Sequence, residues 1–197
     1  MNQTTTPEFD HWFTGSQVVT ENGRPLKFYH QASCHFDRFD DTFDSGLNEF
    51  GKAFYFSNSS FNTGKFGSGK IRHLIEAYLS LKHPLDLNGV ISKTNAVRLL
   101  QHYNTIFEVD ITPHFDGPLQ IGELLEFIQE FDKASYPRLR PFMERLGYDG
   151  FRHYADGYTS FLTQPSSSGF VTYAAFHPTQ ILLPSRNLLN QRPLNRS

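Results

Sequence analysis

Apolar residues recur along this chain with two periods, and the clearest stretch is Phe50 to Ser57. There Phe54 and Phe56 fall on one face and Tyr55 on the other, which predicts a strand rising out of a turn at Gly51. Upstream, Phe9, Trp12 and Phe13 stand at helical spacing between Pro7 and Gly15, so a short N-terminal helix is expected to plug the sheet from outside. Gln17 to Thr20, the turn signal Glu21-Asn22-Gly23 and the run Pro25 to His30 predict a hairpin whose second strand ends in His30. Gln31 to Asn48 alternates phenylalanine with aspartate and reads as a loop tacked down by aromatics. Ser57 to Gly69 reads as a short helix or a loop.

Downstream, Ile71 to Leu87 predicts a strand whose pairing Pro84 ends. Ser92 can cap a helix with Ala96, Leu100, Tyr103 and Phe107 on one stripe. A second helix is expected with Ile121, Leu124, Leu125, Ile128 and Phe131 inward, and a short third one with Pro141 in its first turn. Tyr148 to Tyr154 and Phe170 to Phe176 return to strand character, and Gln180 to Leu183 forms a last short strand. Short strands far apart in sequence, with helices clustered mid-chain, predict an α+β domain. Its expected span is residues 9–184, with flexible tails at 1–8 and 185–197.

Composition narrows the function classes. A net charge of -2 argues against phosphate-driven nucleic-acid binding. A single cysteine, Cys34, forbids an internal disulfide. No apolar run reaches membrane-spanning length and no secretory signal opens the chain, so a soluble, cytoplasmic, monomeric protein is expected. Aromatic residues make up 15% of the chain, enough for a sheet-rich core and for a pocket that stacks a flat ligand. The acids from Asp37 to Asp44 invite a calcium loop, but counting from Asp40 the glycine, Gly46, falls one place late and no glutamate closes the twelfth position. The nine histidines show no metal-ligand spacing, and no metal is expected.

Several motifs then line up in order. Trp12-Phe13, Ser16-Gln17-Val18-Val19, Gly23-Arg24-Pro25-Leu26, Tyr29-His30, Phe54-Tyr55-Phe56, Gly147 to Phe151 and Phe176-His177-Pro178-Thr179-Gln180-Ile181 follow one another at characteristic distances. This order resembles the ADP-ribosyltransferase superfamily in its His-Tyr-Glu branch, with diphtheria toxin and the poly(ADP-ribose) polymerases. It is most similar to the ADP-ribosyltransferase domains of phage and prophage polyvalent proteins. The resemblance implies a split β-sheet around a cleft for NAD. It also implies that His30 hydrogen-bonds the nicotinamide ribose, that Tyr55 and Phe66 hold the nicotinamide between two aromatic faces, and that Thr63 contacts the carboxamide. A flat cationic ring so held gains stacking and cation–π attraction before its glycosidic bond breaks.

Two departures from the family pattern bear on activity. The family's histidine is followed by Gly and then Ser or Thr, whereas Gln31 and Ala32 follow His30, with Ser33 standing in for the hydroxyl one residue late. The catalytic glutamate position, four residues before Phe176, holds Thr172. A threonine can bond a ribose hydroxyl but brings no negative charge to a developing cation, a loss of about a hundred- to a thousand-fold in rate. Asp149 and Asp156 are the local carboxylates that could replace it. The expectation is therefore slow mono-ADP-ribosylation of a macromolecular acceptor, a protein rather than a nucleic acid. One alternative is an inactive relative that binds NAD or a protein through the same cleft, and another is a hydrolase using Cys34 and a histidine.

Overall fold

The computed structural model describes residues 6–32, 34, 36–42, 50–59, 73–155 and 170–184. Among the described residues, nine strands and four α-helices follow in the order α1 (Pro7–Phe13), β1 (Lys27–Ala32), β2 (Phe54–Ser57), β3 (His73–Leu79), β4 (Pro84–Asp86), β5 (Val90–Ile91), α2 (Lys93–Phe107), β6 (Leu119–Gln120), α3 (Ile121–Phe131), α4 (Ser135–Arg145), β7 (Gly150–Ala155), β8 (Phe170–Ala175) and β9 (Ile181–Leu182). Seven strands form one sheet in the order β4-β7-β8-β2-β1-β3-β9, and β5 and β6 pair separately. The α+β class is the one the sequence predicts.

The sheet is split in its middle. On one side β1 pairs with β3 over six residues, and on the other β2 pairs with β8 over four and β8 with β7 over six. Between these halves β1 and β2 share a single pair, Tyr29 with Ser57. Each face of the sheet has its own core, and both halves contribute to the first. Phe28, Phe56, Ala77, Leu79 and Tyr173 pack on one face, while Leu100, Tyr103, Leu124, Leu125, Phe142 and Phe151 join the helices on the other. Burial of these side chains supplies most of the fold's driving force, roughly 1.5–3 kcal/mol each.

The motifs turn out to be fastenings of this fold. Ser16 Oγ donates to the Leu79 carbonyl at 3.2 Å and accepts the Val18 and Leu81 N–H groups, pinning the hairpin to the end of β3. Phe176 is fully buried, and Gln180 Nε2 donates to the Asp149 carbonyl at 2.7 Å while its Oε1 accepts the His177 N–H. The turn from β8 to β9 is thereby tied to the start of β7. Gly150 has no room for a side chain, since a Cβ would collide with the Ala174 carbonyl.

Four local expectations are corrected. His30 lies inside its strand, two residues before the end at Ala32. Pro84 opens β4 and pairs in parallel with Gly150, because a strand's first position needs no N–H from proline. Pro141 lies inside α4, which starts earlier than expected because Asp132 accepts the Ala134 N–H through its side chain and the Ser135 N–H through its carbonyl. Phe131 is 54% exposed at the end of α3, where the stripe has already rotated away from the core.

Candidate functional site

The split has a defined occupant. Beyond the Tyr29–Ser57 pair, β1 and β2 diverge, and the imidazole of His30 places Nδ1 2.9 Å from the Tyr55 carbonyl oxygen. A carbonyl only accepts, so Nδ1 carries the proton and, in the neutral ring, Nε2 is an acceptor. Burial lowers the His30 pKa, and the hydrogen bond to Tyr55 offsets this only in part. The ring is therefore neutral at neutral pH. It is enclosed by Phe39 at 5.0 Å, Phe56 at 5.4 Å and Phe36 at 6.0 Å between centroids.

Tyr55 joins His30 through its backbone, while its ring leaves the sheet on the opposite face. It packs against the helical core and meets Phe151 edge-on at 5.5 Å. Its hydroxyl accepts the Phe50 N–H at 3.1 Å and donates to the Gly51 carbonyl at 2.9 Å, closing the turn that launches β2. Gly51 adopts φ +92°, and a Cβ there would come 2.8 Å from the Tyr136 carbonyl. Only glycine lets this turn sit against the start of α4.

Thr172 shares the face of Tyr55. It pairs with Ser57 on β2 and with His153 on β7, and Ser57 pairs in turn with Tyr29. Four polar side chains, Tyr29, Ser57, Thr172 and His153, thus form one line across four strands, one row from Tyr55, Ala174 and Phe151. Ser57 is buried, and the His153 ring meets Phe50 edge-on at 6.0 Å. Sequence reasoning missed His153. The alternation of Phe151, His153 and Ala155 was a signal that it shares a face with the core residue Phe151.

Gln31 emerges on the same face as Tyr29, and its Oε1 is buried with no hydrogen-bond partner among the described residues. Such an acceptor costs about 1–3 kcal/mol unless a donor reaches it. Asp149 is committed elsewhere: its carboxylate accepts the Lys82 and His83 N–H groups at 2.6 and 2.9 Å, bracing the turn before β4. Cys34 is exposed. Ser33, Thr63, Phe66 and Asp156 lie outside the described residues.

The segment 36–42 that walls His30 is fastened from a distance. Asp41 accepts from Arg140 of α4 at 2.9 Å, and the same guanidinium bonds Glu144 at 3.0 Å and reaches His177 Nδ1 at 2.9 Å. Burial works against the charge of Arg140, and its bonds to Asp41 and Glu144 outweigh that and raise its pKa. A cavity of about 430 Å³ lies elsewhere, among α2, α3, α4 and β5, with an apolar floor of Leu125, Phe142 and Met143. None of the site residues expected from sequence lines it. Among the described residues no group of three His, Cys, Asp or Glu side chains could hold a metal ion, and no helix is long and apolar enough to cross a membrane.

Comparison with known families matches residues 20–183 to a family described as ADP-ribosyltransferase in polyvalent proteins. The match takes in every strand, α2 to α4 and the whole split region. No curated protein and no solved structure matches the chain.

Proposed function

The chain belongs to the ADP-ribosyltransferases of polyvalent proteins, and from that premise we propose that it is a slow NAD-dependent mono-ADP-ribosyltransferase. The family uses NAD as its substrate. The observation that carries the finer reading is His30 in the split, neutral and held by Tyr55, with Nε2 as an acceptor for a hydroxyl of the nicotinamide ribose. The partnerless Gln31 Oε1 is suited to the amide N–H of the nicotinamide carboxamide, which would remove the cost of its burial. Neighbouring residues of a strand project to opposite faces, yet a ligand seated in a split between strands is within reach of both.

Tyr55 and Phe66 are the proposed aromatic walls for the nicotinamide, Thr63 and Ser33 the proposed hydroxyl contacts, and Thr172 the proposed ribose contact in the family's glutamate position. When the C1′–N bond breaks, its electron pair leaves with neutral nicotinamide and positive charge develops on the ribose. Thr172 offers a dipole there instead of a charge, which is why transfer is expected to be slow and to stop at one unit. The proposed acceptor is a protein.

The test measures nicotinamide release from NAD and label transfer from adenine-labelled NAD to protein in a lysate, for the native chain and His30→Ala. Release and transfer by the native chain, both lost in His30→Ala, are expected. NAD binding without release by the native chain would instead favour a module that binds NAD without turning it over.

A further inference from the structure

Helix α2 carries a second stripe beside the one that enters the core. Ala96, Leu100 and Tyr103 are buried, while Asn95, Arg98, Leu99 and His102, about one turn apart, run along the neighbouring face. That stripe forms one wall of the cavity of about 430 Å³. The rest of its lining is mainly apolar, with Ile91 of β5, Leu125 of α3, and Phe142, Met143 and Leu146 at the end of α4. Small-molecule pockets have volumes of about 300–1,000 Å³ and are largely apolar, with a few polar groups that orient the ligand. Asn95, Arg98 and His102 are exposed, so these polar groups stand at the mouth. Among the described residues a guanidinium and an imidazole line the cavity and no carboxylate does. Arg138, Arg140 and Arg152 are each bonded to a carboxylate, whereas Arg98 forms no ion pair with a described residue.

We propose that this cavity is a ligand site for a small aliphatic carboxylate, whose chain lies on Leu125, Phe142 and Met143 and whose carboxylate meets Arg98 at the mouth. The chain leaves water while both charges stay at the wetted edge, so neither is desolvated at full cost. Met143 is the most adaptable part of the floor and can follow an unbranched chain. A phosphate or nucleotide fits less well, because two or more negative charges would face a single guanidinium. A cationic amphiphile would be repelled by it. The site does not depend on the transferase reading, since no residue placed in the split lines the cavity.

The experiment titrates octanoate, decanoate, 1-octanol and octylamine into the native chain, Arg98→Ala and Leu99→Trp by calorimetry, with thermal unfolding to check that each variant is folded. The native chain is expected to bind octanoate about three- to five-fold more tightly than 1-octanol, as suits an ion pair at a wetted mouth, and octylamine more weakly than either. Decanoate should bind more tightly than octanoate by roughly four-fold for each added CH₂. Arg98→Ala should bind octanoate and 1-octanol alike, and Leu99→Trp, whose indole fills the cavity, should bind neither. Amide NMR shifts on adding decanoate should fall on α2 and the end of α4. If Leu99→Trp does not fold, the exposed position Arg98 and the shift map decide. A native chain that binds no octanoate or decanoate, equal binding of octanoate and 1-octanol, octanoate selectivity kept in Arg98→Ala, or shifts confined to other elements would overturn the site. Nicotinamide release from NAD is read separately, so failure of the transferase reading leaves this site standing and failure of this site leaves that reading standing.

Discussion

Nδ1 of His30 lies 2.9 Å from the backbone carbonyl of Tyr55, where the two halves of the sheet part company. This one bond fixes the tautomer of the ring, bridges the two halves of the sheet and joins the two residues most expected to handle NAD. The same ring is buried under Phe36, Phe39 and Phe56, so its chemistry and its contribution to stability are linked.

That linkage has a sign. The folded-state pKa of His30 is lowered from 6.5 by burial. Stability is therefore full above the unfolded value and falls as pH drops below it toward the folded one. In His30→Gln, whose amide can still donate to Tyr55, the part of this acid sensitivity due to the ring should vanish. Urea unfolding at pH 7.5 and 5.5 measures the difference, and an unchanged pH dependence in the variant would remove His30 as its source.

A second buried network sits far from the split. Asp132 is 6% exposed and accepts Tyr103 Oη at 2.6 Å, Arg138 at 2.9 Å and the Ala134 N–H at 2.9 Å. Burial would raise its pKa, but these three donors prevail and lower it, so the stabilisation it gives is present above the ordinary aspartate range and disappears as pH falls through the folded pKa. Tyr103→Phe should cost about 1–3 kcal/mol at neutral pH by stripping one donor from a buried carboxylate. Chemical denaturation measures this, with NAD binding unaffected.

Arg140 fastens the wall of the His30 site. In Arg140→Ala the segment 36–42 loses its tie to α4, and roughly 1–2 kcal/mol of stability should go with it, given the partial exposure of Asp41 and Glu144. The more specific expectation is that the imidazole of His30 becomes better solvated and titrates higher than in the native chain. Proton NMR of the His30 ring reads this directly, and an unmoved titration would separate the Arg140 network from the site.

Gly51→Ala should destabilise by about 2–4 kcal/mol, from its left-handed φ together with the contact a Cβ would make with the Tyr136 carbonyl. Thermal unfolding tests this. A silent substitution would mean that the turn and the start of α4 shift apart at no cost.

Much of this was legible in the sequence, for identifiable reasons. The alternation of Phe54, Tyr55 and Phe56 settled both the strand and the faces of its rings, because side-chain direction in a strand follows from parity alone. Ser92 and the stripe through Leu100 and Tyr103 placed α2. Pro84 and Pro141 misled because the effect of proline depends on position within an element, which pairing and capping decide. His153 went unnoticed because its importance lies in register: it is opposite Thr172 only once β7 and β8 have paired. The opposite faces of His30 and Tyr55 likewise depend on the Tyr29–Ser57 pair, a contact between segments that the sequence does not align.

The most direct test of the account is nicotinamide release from NAD by the native chain beside Thr172→Glu, with NAD binding measured on the same samples. The account predicts that both bind NAD alike, that the native chain releases nicotinamide slowly in step with transfer to protein, and that Thr172→Glu is about a hundred- to a thousand-fold faster. Absence of both binding and release in the two proteins would contradict it.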